Sequence, residues 1–157
     1  MRTKPLVAVF AATLLGCPPA DTASAARQAI DANNADWAQL TSAGQADSLA
    51  GFFHPNAVLY PPNTPPVRGR DSIRAFYAGL STFRPSPTLD VRAESVWAGG
   101  PTALELGRWT LTWPQGVRRP PGVPATNSGS YFVRWAEEGG RWLRVHYMWN
   151  SEIPRPQ

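Results

Sequence analysis

Glu105, Tyr147 and Tyr60 are the residues whose types suit proton-transfer chemistry. A carboxyl walled by apolar side chains serves as a general base. Two phenols beside it can donate to the oxygen of a developing enolate. The plainer alternative pairs Glu105 with an arginine such as Arg108 or Arg134 and makes both phenols amphipathic core residues. Around these candidates stands an aromatic set: Trp37, Tyr60, Trp97, Trp109, Trp113, Tyr131, Trp135, Tyr147 and Trp149. Aromatic walls with a few polar groups suit a flat apolar ligand, which makes this set the expected pocket lining. The alternative is that the wide rings only fill the interior.

Other chemistries fall away by count. The only lysine is Lys4 and the only cysteine is Cys17, so a Schiff base or a cysteine nucleophile has no residue in the folded part. His54 and His146 are the only histidines, too few for a convergent ligand set, so neither a metal nor a cofactor is expected. His146 reads as an interface or surface residue, with catalytic base as its alternative role. There is no nucleophile elbow, phosphate loop or dinucleotide fingerprint.

The formal charge of +4 invites a nucleic-acid reading, which its distribution rejects. Without Arg2 and Lys4 there remain 13 arginines against 11 acids, about +2, scattered except for Arg118-Arg119. A phosphate backbone demands a clustered basic stripe.

The first residues read as an address. A short cationic start precedes an apolar run from Leu6 to Gly16, 11 residues long, too short to span a bilayer and suited to a signal peptide. Leu14-Leu15-Gly16-Cys17 resembles a bacterial lipoprotein lipobox, which implies cleavage after residue 16 and lipid on Cys17. The expected organisation is a signal peptide at 1–16, a tether at 17–24, one domain at 25–152 and a tail at 153–157. The expected location is the bacterial cell envelope, held by the lipid, with plain secretion as the alternative.

Periodicity supplies the elements that must position the candidates. Apolar spacing of three and four predicts helices over about 25–42, 46–53 and 72–80, with Gly44 ending the first. A short strand, 57–60, stops at Pro61-Pro62 after a turn at His54-Pro55-Asn56. Alternation then predicts strands over 89–98, 102–113, 129–136 and 141–151. In the third of these helices Ile73, Phe76, Tyr77 and Leu80 point inward. Glu105, Gly107, Trp109, Leu111 and Trp113 share one face, and Leu89, Val91, Ala93, Ser95 and Trp97 another. The last strand puts Leu143, Val145, Tyr147 and Trp149 on one side and Trp142, Arg144, His146 and Met148 on the other, the second reading as an outer face and a subunit contact. Tight turns between the later strands predict antiparallel pairing. The result is an α+β domain of three N-terminal helices packed on a strongly curved, mostly antiparallel sheet that wraps into a cone.

In their order and spacing these segments resemble the nuclear transport factor 2-like superfamily, in its SnoaL-like and ketosteroid-isomerase-like bacterial branch. Ala29-Ile30 with Trp37, Phe53 to Leu59, and Val67-Arg68-Gly69-Arg70 with Ile73 to Tyr77 carry the first half. Gly107 to Thr112, Gly129-Ser130-Tyr131, and Trp142 with Met148-Trp149-Asn150-Ser151 carry the second. The resemblance implies a cone-shaped fold, an interior pocket and a homodimer through the outer face of the sheet. It implies little about chemistry, because this fold hosts isomerases, dehydratases, cyclases and binding modules. The isomerase relatives place an aspartate base after the first strand, where this chain has Tyr60-Pro61-Pro62. Many members of the branch have an acidic residue two before the Trp-Asn-Ser motif, where this chain has Tyr147.

Three functions follow. The first is an envelope-anchored domain that binds a small apolar ligand. The second is a cofactor-independent isomerase, dehydratase or cyclase acting on a small carbonyl or polyketide-like substrate. The third is a homodimeric interaction module that binds no small molecule.

Overall fold

The structure is a computed structural model. It describes residues 22–82, 85–119 and 123–153. The expected signal peptide and Cys17 lie outside them, as does most of the expected tail.

Three helices precede most of the sheet. Helix α1 runs Thr22–Ser42, three residues longer at its start than the periodicity suggested, and buries Ala26, Ile30, Asn34 and Trp37. Those four recur at intervals of four, four and three, one stripe of a 3.6-residue helix. Helix α2 is a single turn, Ala46–Ala50. Strand β1, Phe53–Tyr60, takes up the segment expected as a turn at His54-Pro55-Asn56. A two-residue strand β2, Val67–Arg68, hydrogen-bonds back to β1. Helix α3, Arg70–Leu80, follows Gly69, whose φ of 81° is a conformation that glycine adopts without strain. It buries Ile73 and Tyr77, whereas Leu80 is 51% exposed.

Four long strands follow: β3 (Thr88–Gly99), β4 (Thr102–Thr112), β5 (Thr126–Glu138) and β6 (Arg141–Trp149). They pair antiparallel in sequence order, as the turns between them require. The sixth strand then lies parallel to the first, giving the order β2-β1-β6-β5-β4-β3.

The α+β class and the three helices are as expected, but the cone is not. Among the described residues the sheet is open: it ends at β2 on one side and β3 on the other, and no pairing joins those edges. Turn signals describe local hairpins only, and they do not say whether the two outermost strands meet. Helix α1 closes the inner face instead. Arg27 donates through Nη2 to the Ala93 carbonyl at 3.1 Å, and the Leu89 N–H donates to Ser42 Oγ at 3.0 Å, pinning α1 to β3 at both ends.

Candidate active site

Two register slips decide which side chains reach the interior. In β3 the pairing with β4 slips between Ala93 and Ser95, so Glu94 is an extra residue. A bulge inverts every later side chain in its strand. Val96 and Ala98 therefore pack against the core, and Trp97, expected in the pocket lining, faces outward and is 57% exposed. In β6 the slip falls between the pairs Arg134–His146 and Trp135–Arg144, which makes Val145 the extra residue. Arg144, expected on the outer face, is turned inward to join Tyr147 and is 2% exposed.

The centre of the interior is Glu105, with no exposed surface. Strand β4 aims it inward with Ala103, Gly107 and Trp109. Its neighbour across β5 is Val133, so Tyr131 and Trp135, two residues to either side, flank it on the same face. The Tyr131 hydroxyl donates to Oε1 at 2.5 Å, and the Trp135 indole N–H donates to Oε2 at 2.8 Å. The Asn34 amide, from α1, donates to Oε1 at 2.5 Å. Oε1 thus takes two donors and Oε2 one, which leaves the open acceptor position on Oε2.

Arg144 supplies the balancing charge. Its Nη2 donates to Asn34 Oδ1 at 2.8 Å and its Nη1 to Asn33 Oδ1 at 2.7 Å. Asn34 therefore bridges the two charges, its N–H₂ toward Glu105 and its carbonyl toward Arg144. The guanidinium lies between two indoles, 4.8 Å from the Trp37 ring and 4.6 Å from the Trp135 ring, a cation–π sandwich. Burial lowers the pKa of Arg144 from the ordinary arginine value, and the Glu105 charge works against that shift.

Burial also holds three phenols well above their ordinary pKa. For Tyr131 the Glu105 charge and hydrogen bond add to it. For Tyr147 Arg144 opposes it and Glu105 reinforces it. For Tyr77 the Tyr147 phenol reinforces it and Arg144 opposes it. All three remain protonated donors in the fold.

The remaining candidates divide by face. Trp37 meets Tyr77 and Tyr147 edge-on at 5.8 and 5.6 Å, and Tyr147 touches Tyr131 at 6.1 Å and Trp149 at 5.0 Å. Trp109 is buried and donates its indole N–H to the Asn150 carbonyl at 3.0 Å, and Trp113 is buried as well. Tyr60 is not part of this cluster. It pairs in register with Met148, which is 49% exposed, and its ring neighbour is His146 at 6.2 Å. Of the three acid–base candidates, the structure therefore brings together Glu105 and Tyr147. The arginine alternatives lie elsewhere: Arg108 bonds Glu152 at 2.5 Å, and Arg134 pairs with His146 and Leu104. His54 meets Glu138 at 3.0 Å. Among the described residues no three metal-binding side chains cluster.

A groove of about 720 Å³ runs between α1 and β3, lined by Arg27, Asp31, Asn34, Ala35 and residues 91–94. Its floor reaches Asn34, the same amide that bonds Glu105. A second hollow of about 460 Å³ lies beside the start of α3. Neither is walled by the aromatic cluster, whose rings pack against one another.

Comparison with known proteins agrees with this architecture. A protein of Novosphingobium aromaticivorans whose proposed activity is scytalone dehydratase superposes with a TM-score of 0.71 at 17% identity, over 87% of this chain and 91% of that one. A ketosteroid isomerase-like protein of Erwinia carotovora gives 0.66 at 15% identity, over 81% and 96%. A nuclear transport factor 2-like superfamily protein of Salmonella enterica gives 0.69 at 20% identity, over 83% and 94%. No curated protein matches this chain. At these identities the superpositions speak for the fold alone, but a SnoaL-like domain model matches residues 35–145 directly, and the chain belongs to that family.

Proposed function

We propose that this protein is a cofactor-independent enzyme that moves a proton on a small carbonyl compound, as an isomerase, dehydratase or cyclase does. The observation that carries this reading is the buried Glu105 carboxylate, tied to the Tyr131 phenol and bridged by Asn34 to Arg144. The open acceptor position on Oε2 takes the proton of a carbon acid. As Glu105 is neutralised, the negative charge passes to the substrate enolate, and the buried guanidinium then faces that charge instead. Neighbours of the same fold named for dehydratase and isomerase activity support this reading over a pure binding role. Ligand binding without turnover is the second reading, supported by the buried aromatic cluster.

Deuterium uptake at the methyl group of acetophenone in D₂O, followed by proton NMR, tests the choice. The wild type should accelerate exchange, and Glu105→Gln should lower the catalysed rate by about 10²–10⁴-fold. Exchange that survives in a folded Glu105→Gln protein sinks the acid–base reading. Acetophenone binding with no exchange by the wild type leaves the ligand-binding reading.

We also propose a setting for this activity: lipid on Cys17, an envelope location and a homodimer through the outer face of the sheet. Trp97, Leu104, Leu106 and Met148 are 57, 42, 40 and 49% exposed, and Leu106, Phe132 and Met148 sit side by side on three strands. An exposed apolar patch of this kind suits a protein contact. Native mass spectrometry of protein extracted from membranes should give a dimer with a diacylglycerol-sized mass increment at Cys17. A monomer without the increment removes both claims.

A further inference from the structure

Two polar groups inside the aromatic cluster have nothing to bond. The indole N–H of Trp37 and the hydroxyl of Tyr77 are enclosed, and neither meets a partner. Their residues are 3% and 5% exposed. The two rings, one from α1 and one from α3, touch edge to face at 5.8 Å. Arg144 lies over the Trp37 ring, and Tyr147 packs against the ring's edge.

An unpaired buried donor lowers stability, and folded proteins leave very few of them. Phenylalanine at position 77 would keep the ring contacts with Trp37, Phe53 and Phe76 and avoid the desolvated hydroxyl. The hydroxyl therefore serves no contact within the fold. An indole N–H only donates, and a guanidinium only donates, so an atom that completes this region must accept. The charge of Arg144, which lies over the Trp37 ring, disfavours a second cation there.

We propose that Trp37 Nε1 and the Tyr77 hydroxyl form a donor pair for an acceptor oxygen on the molecule this protein binds. The naming of that oxygen as a substrate carbonyl rests on the acid–base reading above; the donor site itself does not. With Glu105 and Arg144 carrying the charges, the pair recognises the uncharged carbonyl and orients it. The compounds admitted are flat, apolar and oxygen-bearing. A site built around a hydrogen bond rejects the isostere that lacks it far more strongly than a hydrophobic pocket rejects an added group.

The test uses acetophenone and α-methylstyrene, two molecules of the same outline that differ in having a carbonyl oxygen or a methylene. Binding is measured by ligand-observed NMR and stability by thermal unfolding. The wild type should bind acetophenone at least about tenfold more tightly than α-methylstyrene, the loss expected when buried donors stay unpaired. Tyr77→Phe should abolish that preference while raising Tm by about 4 °C, the shift expected for removal of an unsatisfied group in a domain of this size. Trp37→Phe should also abolish it. A Tyr77→Phe protein that melts lower, or that keeps the preference for the ketone, overturns the proposal, as does a wild type with no preference. The acid–base reading fails separately: a Tyr77-dependent preference without deuterium exchange supports the donor pair and removes the base, whereas exchange with no such preference does the reverse.

Discussion

Arg144→Met is expected to remove about 3–5 kcal/mol of folding stability. Natural domains have only about 5–15 kcal/mol in all, so the variant should melt far below the wild type, if it folds at all. The loss does not come from volume, because methionine fills much of the same space. It comes from Glu105, which has no exposed surface and would be left with no buried cation near it. Asn34 would lose the guanidinium that holds its carbonyl, and the indoles of Trp37 and Trp135 would lose the cation between them. Removing the second charge as well is expected to give a partial rescue. In the double variant Arg144→Met with Glu105→Gln neither charge remains, and urea unfolding should show less destabilisation than the two single changes summed. An Arg144→Met protein within about 1 kcal/mol of the wild type would show that the guanidinium is not what balances Glu105, because a broken buried pair costs several times that.

The second large effect is expected at a residue with no side chain. A methyl group on Gly107 would sit against the Arg92 carbonyl of the neighbouring strand and 2.5 Å from the Tyr131 hydroxyl oxygen. Neither can yield cheaply. The carbonyl belongs to the β3–β4 ladder, and the phenol is held by Glu105. Gly107→Ala should therefore cost about 1–3 kcal/mol, the usual penalty for overpacking a dense core. It should also push Tyr131 off Oε1. The acid–base reading then requires a loss of deuterium exchange beyond what the unfolded fraction explains. Urea unfolding and acetophenone exchange on the same preparation separate the two effects. Exchange and stability both at wild-type levels would mean that Tyr131 has room to move, contrary to the packing described.

How far the sequence discloses this site depends on whether each signal is local. The alternation of β4 places Glu105, Gly107 and Trp109 inward, as read, because that strand runs without a slip from one end to the other. The inward stripe of α1 is legible too, and Asn34 could have been found on it, three residues before Trp37 and four after Ile30. A buried amide at Asn34 is not expected on such a stripe unless its partners are known. Arg144 and Trp97 were misplaced for one reason: a single extra residue, Val145 in one strand and Glu94 in the other, exchanges inside for outside. Neither residue carries a glycine or proline to announce the bulge. The closed cone was misjudged because the pairing that sets the sheet's outline, β1 beside β6, joins segments nearly ninety residues apart, with no turn between them.

That pairing has a consequence for how the protein is made. Whether the chain leaves a ribosome or a membrane pore, β1 emerges long before the strand it must lie beside. Phe53, Leu59 and Trp37 stay without Tyr147 and Arg144 until residues 144–147 have emerged. Loop closure over such a span is slow, and apolar segments left waiting tend to associate with other nascent chains. The last strand thus acts as the keystone of biosynthesis, and a chaperone that shields the early segments would be needed most in the interval just before β6 appears.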